Sequence, residues 1–170
     1  MSRKGPAHAR KMLTTRLAED KWLVAFTGGT SPILNSHETV ADVEAVSGVS
    51  EFTEVGRAKA AGSSAPDWIV STVTSNGVTT TRARNDAAIA WPTENSTGSS
   101  VYITAVAMVD NGDDGDGTPI GSDASASSDD SRIVWFVNLS SPGFEVPATR
   151  IPQVPIGASD FSTGFVIQEA

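Results

Sequence analysis

Residues 67–83 read DWIVSTVTSNGVTTTRA, and this stretch decides the fold. Two runs rich in β-branched residues flank the dipeptide Asn76-Gly77. Asn-Gly between such runs is the strongest short-range signal of a β-hairpin, because both turn positions need a positive φ. The stretch therefore predicts two antiparallel strands, at residues 67–75 and 78–83.

Further short strand-like runs cover most of the remaining chain. The longest is VYITAVAMV at 101–109, whose alternation predicts one apolar face made of Val101, Ile103, Ala105, Ala107 and Val109. The others are WLVAF (22–26), TVADVEAV (39–46), FTEVGRAKA (52–60), AAIAW (87–91), IVWFVNL (133–139) and FVI (165–167). About seven to nine short strands with almost no helix predict an all-β fold, an antiparallel β-sandwich of jelly-roll or Greek-key type.

The N-terminus differs from the rest in both spacing and charge. Helical spacing of apolar residues occurs only between Ala9 and Asp20, which predicts a short amphipathic helix. Residues 1–16 hold five basic residues and no acidic one, whereas the remainder holds seven Lys/Arg against 20 Asp/Glu. We therefore expect a basic arm with a short helix at 1–21, followed by a β-sandwich domain at 22–170.

The composition limits the function classes. A 170-residue chain without cysteine has neither disulfides nor a thiolate metal site, and its apolar fraction of 39% predicts a thin core that gains from oligomerisation. No apolar run is long enough to span a membrane, and the N-terminus lacks the apolar region of a secretion signal. The chain after residue 16 is acidic and is expected to repel nucleic acid. For the basic arm, binding to another protein is therefore favoured over direct binding to nucleic acid.

The stretch 110–131, DNGDDGDGTPIGSDASASSDDS, is acidic and poor in residues that could pack. It predicts a solvent-exposed loop. Carboxylates between glycines are also what a Ca²⁺ loop requires, although the spacing does not fit an EF-hand. A solvated acidic loop that binds no metal is the favoured interpretation. The alternative is calcium binding, with Asp110, Asp113, Asp114 and Asp116 as the candidate ligands.

Side chains for catalysis are scarce. Only His8 and His37 could serve a triad or a metal cluster, and no phosphate, dinucleotide or zinc-protease motif is present. Four tryptophans lie in or beside strand-like runs, where they predict core packing, with a sugar-stacking platform as the alternative. The sequons Asn95-Ser96-Thr97 and Asn138-Leu139-Ser140 are interpreted as unmodified. We predict a protein that is not an enzyme and needs no cofactor.

Several longer stretches follow one another in a recognisable order. They are the N-terminal helix leading into WLVAF, the VGRAKA segment, NDAAIAWPTENSTGSSVYITAVAMVD, IVWFVNLSSPGFEVP, and the final FVI strand. Over most of the chain this order resembles small tailed-phage virion proteins known as phage tail fibre or head-decoration proteins. The 110–131 loop is longer, and the 142–157 segment richer in proline, than in that group.

The resemblance implies a homotrimeric surface module of a tailed-phage virion, assembled in the host cytoplasm, that decorates or stabilises the capsid. Its expected partners are further copies of itself and the major capsid protein or another virion protein. The alternatives are a component of a tail or head fibre, or a module that binds a receptor or carbohydrate.

Two groups of residues are the candidate contacts. The basic arm would dock on a partner through Arg3, Lys4, Arg10, Lys11, Met12, Leu13, Arg16 and Leu17. The run from Pro142 to Pro155 cannot form a regular central strand, yet it and its neighbour carry too many apolar groups for a solvated loop. We expect these groups to pack across a neighbouring subunit: Phe144, Val146, Ile151, Val154 and Ile156.

Overall fold

The computed structural model describes residues 6–75, 77–110, 131–157, 164 and 166–169. In chain order its elements are α1 (Pro6–Ala18), β1 (Lys21–Thr27), α2 (Val40–Glu44), β2 (Ser50–Glu51), a 3-10 turn (Thr53–Val55), β3 (Ala58–Ala61), β4 (Trp68–Ser75), β5 (Val78–Asn85), β6 (Ile89–Ala90), β7 (Val101–Asp110), β8 (Ile133–Asn138), β9 (Phe144–Val146), β10 (Gln153–Val154) and β11 (Val166–Glu169). Strand is the main secondary structure of these residues, and the sheets are antiparallel. The predicted all-β class is confirmed at this level.

The chain divides into two compact units. Unit 1 comprises residues 1–20, 61–89 and 153–170, and unit 2 comprises residues 21–60 and 90–152. Each unit contains a sheet of its own, and each is described separately below.

Unit 1 contains the predicted hairpin. β4 and β5 pair from Trp68 opposite Asn85 to Ser75 opposite Val78, which confirms the two strands expected around Asn76-Gly77. β11 pairs with the other side of β5, so Val166 and Ile167 of the predicted FVI strand lie in a three-stranded sheet. Helix α1 packs against β4 and β5 and buries Leu13 and Leu17. The apolar side of the N-terminal helix thus forms part of the core of unit 1.

Unit 2 is built on the strand order β2-β1-β7-β8, with β3 added on β1 and β9 on β7. One buried cluster joins alternate residues of β1 and β7 to two residues of α2. Its members include Trp22, Val24, Phe26, Val40, Val43, Ala105, Ala107 and Val109. The predicted strand WLVAF therefore supplies one face of the core of unit 2.

Strand β7 differs from the predicted single apolar face in two ways. Val106 and Met108 are buried as well, so side chains on both faces of the strand are covered. Ala105 lies opposite Phe26 but Ile103 lies opposite Thr27, which leaves Thr104 as an extra residue in a β-bulge. The Thr104 hydroxyl donates to the carbonyl of Gly28 at 2.6 Å. The alternation that starts at Val109 is therefore interrupted at Thr104.

The prediction of a strand at 39–46 is wrong, because residues Val40–Glu44 form helix α2. Thr39 is its N-cap: its hydroxyl accepts from the Asp42 N–H at 3.3 Å, and the Asp42 carboxylate accepts from the N–H of Thr39 and of Glu38, each at 2.9 Å. These backbone hydrogen bonds hold the pKa of Asp42 below its ordinary 3.8. The strand expected at 52–60 is reduced to β3, because the 3-10 turn ends at Gly56 with a φ of 70°.

The side of β8 away from β7 is bonded to the segment 33–40. Thr39 bridges Arg132, with the Ile133 N–H donating to the Glu38 carbonyl at 2.8 Å. At the other end of β8, the Asn138 amide donates to the Ile33 carbonyl at 2.8 Å and accepts from the Ile33 N–H at 3.0 Å. The Thr39–Arg132 bridge therefore covers one end of the edge strand β8, and the Asn138 side chain covers the other.

Candidate interaction surfaces

The side chains of α1 divide between the core and the surface. Leu13 and Leu17 are buried in unit 1, and Met12 is half-buried. Arg10, Lys11 and Arg16 are exposed. Arg3 and Lys4 lie outside the described residues. Of the candidate docking residues that are described, the three cations are those that a partner can reach.

An open groove of about 340 Å³ runs along the exposed side of α1. It is lined by His8, Lys11, Met12, Thr15 and Arg16, which recur at helical intervals. Among the described residues no carboxylate pairs with Lys11 or Arg16. The groove therefore combines cationic side chains with the apolar chain of a methionine.

The proline-rich segment divides in the same way. Phe144, Ile151 and Ile156 are 51%, 53% and 55% exposed, which is unusual for large apolar side chains. Val154 is half-buried. Val146, opposite Val101 on β7, is 1% exposed and belongs to the core of unit 2. Three of the five candidate residues are thus available to a partner.

In unit 2 a buried asparagine holds this segment in place. Asn95 is fully buried, and its amide donates to the carbonyls of Val146 at 2.9 Å and Ser99 at 2.8 Å. Its backbone N–H donates to the Arg150 carbonyl at 2.9 Å, and its carbonyl accepts from the Thr149 N–H at 2.9 Å. Because its neighbours are bonded in this way, the exposed side chain of Ile151 has a defined position.

In unit 1 Asn85 plays the same part at the end of β5. It is fully buried, and its amide donates to the Pro155 carbonyl at 2.8 Å while its backbone carbonyl accepts from the Gly157 N–H at 3.0 Å. The Arg84 guanidinium also donates to the Gly157 carbonyl. Ile156 lies between these two bonded residues, and its side chain points into solvent. Both asparagines were missed from the sequence, although Asn95 stands in a noted sequon.

The candidate calcium ligands fall mostly outside the described residues: Asp113, Asp114 and Asp116 lie within 111–130, which the structure does not describe. Asp110 is half-buried at the end of β7, and its Oδ1 is buried without a hydrogen-bond partner. Within the described ranges no group of three potential metal ligands occurs. Calcium binding therefore stays an untested alternative.

The two residues that flank 111–130 are both held by unit 2. Asp110 lies opposite Lys21 in the β1–β7 ladder, and its N–H donates to the Arg132 carbonyl at 3.1 Å. The Ser131 hydroxyl accepts from the Arg57 guanidinium at 2.8 Å in a buried position. The acidic stretch therefore begins and ends at fixed points of one unit.

The tryptophans serve mainly as packing groups. Trp22 and Trp91 are buried, and Trp68 and Trp135 are half-buried. The Lys59 ammonium lies over the Trp22 ring, 4.0 Å from its centre, in a cation–π contact. Neither Trp22 nor Trp91 presents a ring on which a sugar could stack.

The remaining polar side chains singled out in the sequence have local roles. The His37 ring accepts from the Leu34 N–H through Nδ1 at 3.3 Å. Asn95 and Asn138 use their side-chain amides in the hydrogen bonds described above, so neither sequon presents a free amide. These contacts account for both asparagines as structural residues.

Comparison of the chain with protein-family models, with curated proteins and with solved structures found no match. Among the described helices, none has the length and apolar character that a membrane span requires.

Proposed function

We propose that this chain is a non-enzymatic structural protein of a tailed-phage virion, a self-associating surface module that decorates and stabilises the capsid. In this proposal the antiparallel sheets form a β-sandwich of jelly-roll or Greek-key type. Copies pack on one another, most simply as a trimer, and on the major capsid protein or another virion protein.

The observation that carries the proposal is the presentation of Phe144, Ile151 and Ile156. Large apolar side chains cost free energy in water, about 25 cal/mol per Å² of apolar surface left exposed. Ile151 and Ile156 are nevertheless set outward by backbone segments that Asn95 and Asn85 bond in place. Rigid backbone with exposed apolar groups is what a protein-binding surface requires, since little order must be imposed on binding. A catalytic role would instead need converging polar groups.

The acidity of the chain supports the same proposal. With a net charge of −8, the module repels nucleic acid and other copies except where apolar or basic groups are exposed. Contacts are therefore confined to defined surfaces, as an ordered shell requires.

Electron microscopy of an intact particle carrying the protein tests this function. We expect density for the module at symmetry-related positions on the outside of the shell. Its absence from purified particles would reject the proposal. Density confined to a tail or a fibre would favour the fibre alternative, and reproducible glycan binding would favour the receptor-binding alternative.

The contact residues can be tested on the same particles. Phe144→Ser, Ile151→Ser and Ile156→Ser combined should lower occupancy without loss of fold, because all three side chains are already exposed. Arm deletion is a poorer test, since it would also remove Leu13 and Leu17 from the core of unit 1.

A further inference from the structure

The two units differ strongly in charge. Unit 1 contains seven Lys/Arg and six Asp/Glu, a net charge of +1, whereas unit 2 contains five Lys/Arg and fourteen Asp/Glu, a net charge of −9. One chain therefore carries two units that attract their opposite in another copy. Contacts between unlike units of two copies gain from this attraction, and in the trimer of the proposed function such contacts run head to tail.

Among the described residues of unit 1, the exposed cations are Arg10, Lys11 and Arg16, all on α1, and the last two line the α1 groove. Lys11 and Arg16 line it one helical turn apart from His8 and Met12, and no carboxylate of the described residues neutralises them. Long cationic side chains over a methionine favour a partner that offers a carboxylate next to an aromatic ring.

In unit 2 that combination occurs at the edge of the sheet where β9 pairs with β7. Tyr102 lies directly opposite Glu145, and both side chains are exposed. Phe144, the preceding residue, lies on the opposite face of the strand and is not part of this surface. We call Tyr102 and Glu145 the β7–β9 patch. No basic side chain of the described residues forms an ion pair with Glu145.

We propose that the α1 groove of one copy binds the β7–β9 patch of a second copy, so that copies associate head to tail. Lys11 and Arg16 pair with Glu145, and Met12 contacts the Tyr102 ring. A heterologous contact of this kind closes into a ring when its rotation permits, and a trimer is such a ring. The inference rests on the self-association of the proposed function and assigns the surfaces that perform it.

Charge reversal on both sides of the contact tests it in solution with the full chain, by sedimentation across a concentration series. Lys11→Glu and Glu145→Lys should each weaken association about tenfold or more, because each places like charges together. The combined variant Lys11→Glu/Glu145→Lys should recover most of the lost affinity, since it re-creates one opposite-charge pair. Wild-type association should also weaken as the Debye length falls from about 10 Å to about 3 Å with added salt.

Arg10→Glu is the matched control, because Arg10 is exposed on the same helix but does not line the groove. It should change the affinity far less than Lys11→Glu.

The inference is overturned if the wild type stays monomeric or if Lys11→Glu associates like the wild type. It is also overturned if Arg10→Glu and Lys11→Glu have equal effects, or if the combined variant associates no better than the single ones. Particle microscopy separates this from the proposed function: head-to-tail oligomers absent from particles would reject only the virion role, and decorated particles with unaltered Lys11→Glu association would reject only this contact.

Discussion

Arg57 and Glu51 form a bidentate ion pair inside unit 2, with Nε–Oε1 and Nη2–Oε2 distances of 2.8 and 2.7 Å. Their side chains are 6% and 5% exposed. The third nitrogen of the guanidinium donates to the Ser131 hydroxyl, and the Glu51 N–H donates to the Glu44 carboxylate at 2.9 Å. The pair thus connects β2 to Ser131, the first described residue after 111–130.

Replacing Arg57 by alanine should cost about 3–5 kcal/mol of unfolding free energy, because the Glu51 carboxylate would stay buried without its counter-charge. Chemical denaturation measures this cost. Arg132→Ala, which removes an exposed arginine next to Ser131, is the control and should change stability by less than about 0.5 kcal/mol. Equal effects of the two variants would show that the Arg57–Glu51 pair is not special.

Asn95→Ala should destabilise unit 2 by about 1–3 kcal/mol, because the buried carbonyl of Val146 loses its side-chain donor. Its effect on self-association should be small, because the bonds to Thr149 and Arg150 come from the backbone of residue 95 and alanine keeps them. Thermal unfolding and sedimentation measure the two effects. Asn35→Ala, at an exposed position, should leave both unchanged; an Asn95→Ala protein of full stability would contradict the assigned role.

Gly28 and Gly98 both have a φ near +80° (+78° and +79°), but their surroundings differ. A Cβ at Gly98 meets open space, so Gly98→Ala should cost only the left-handed backbone strain, about 1–2 kcal/mol. A Cβ at Gly28 would collide with the Gly48 carbonyl, so Gly28→Ala should cost clearly more. Denaturation midpoints of the two variants decide this, and equal losses would be inconsistent with the turn geometry.

Acidification should remove the contribution of the Asp42 cap. The pKa of Asp42 is lowered in the folded chain, so the carboxylate stabilises the fold above its unfolded pKa of about 3.8 and loses this effect as the pH falls through the lower, folded value. Wild type should therefore exceed Asp42→Ala in stability at neutral pH, and the gap should narrow below about pH 4. A gap independent of pH would exclude the charged cap as its cause.

The hairpin at Asn76-Gly77 and the strands around WLVAF and VYITAVAMV follow from local pattern, because turn chemistry and β-branched runs act over a few residues. Helix α2 did not, since Val40 and Val43 suit a strand equally well, and only Thr39 followed by Asp42 indicates a cap. The Thr104 bulge and the buried roles of Asn85 and Asn95 depend on contacts with residues far along the chain. No local pattern encodes those contacts.

The same limit applies to the candidate contacts. Apolar composition identified both Phe144 and Val146, but only the pairing of β9 with β7 buries Val146 and leaves Phe144 in solvent. The α1 groove could be located only once the structure showed which side of α1 packs on the sheet. Leu13 and Leu17 lie on that side, and Lys11 and Arg16 therefore face outward. Neighbouring residues with the same chemistry thus have opposite roles.

The bonds from Asn138 to Ile33 and from Thr39 to Arg132 bear on how far assembly can proceed. IVWFVN, the strand they flank, is a six-residue segment without charge or proline, the kind that adds strands without limit into fibrils. With the 33–40 segment bonded at both of its ends, this edge is less open to the addition of a further strand. This favours the proposed association through side chains, whose extent is set by the geometry of the contact. During synthesis residues 33–40 leave the ribosome about a hundred residues ahead of the strand that they cover, so the covering segment is available when that strand emerges.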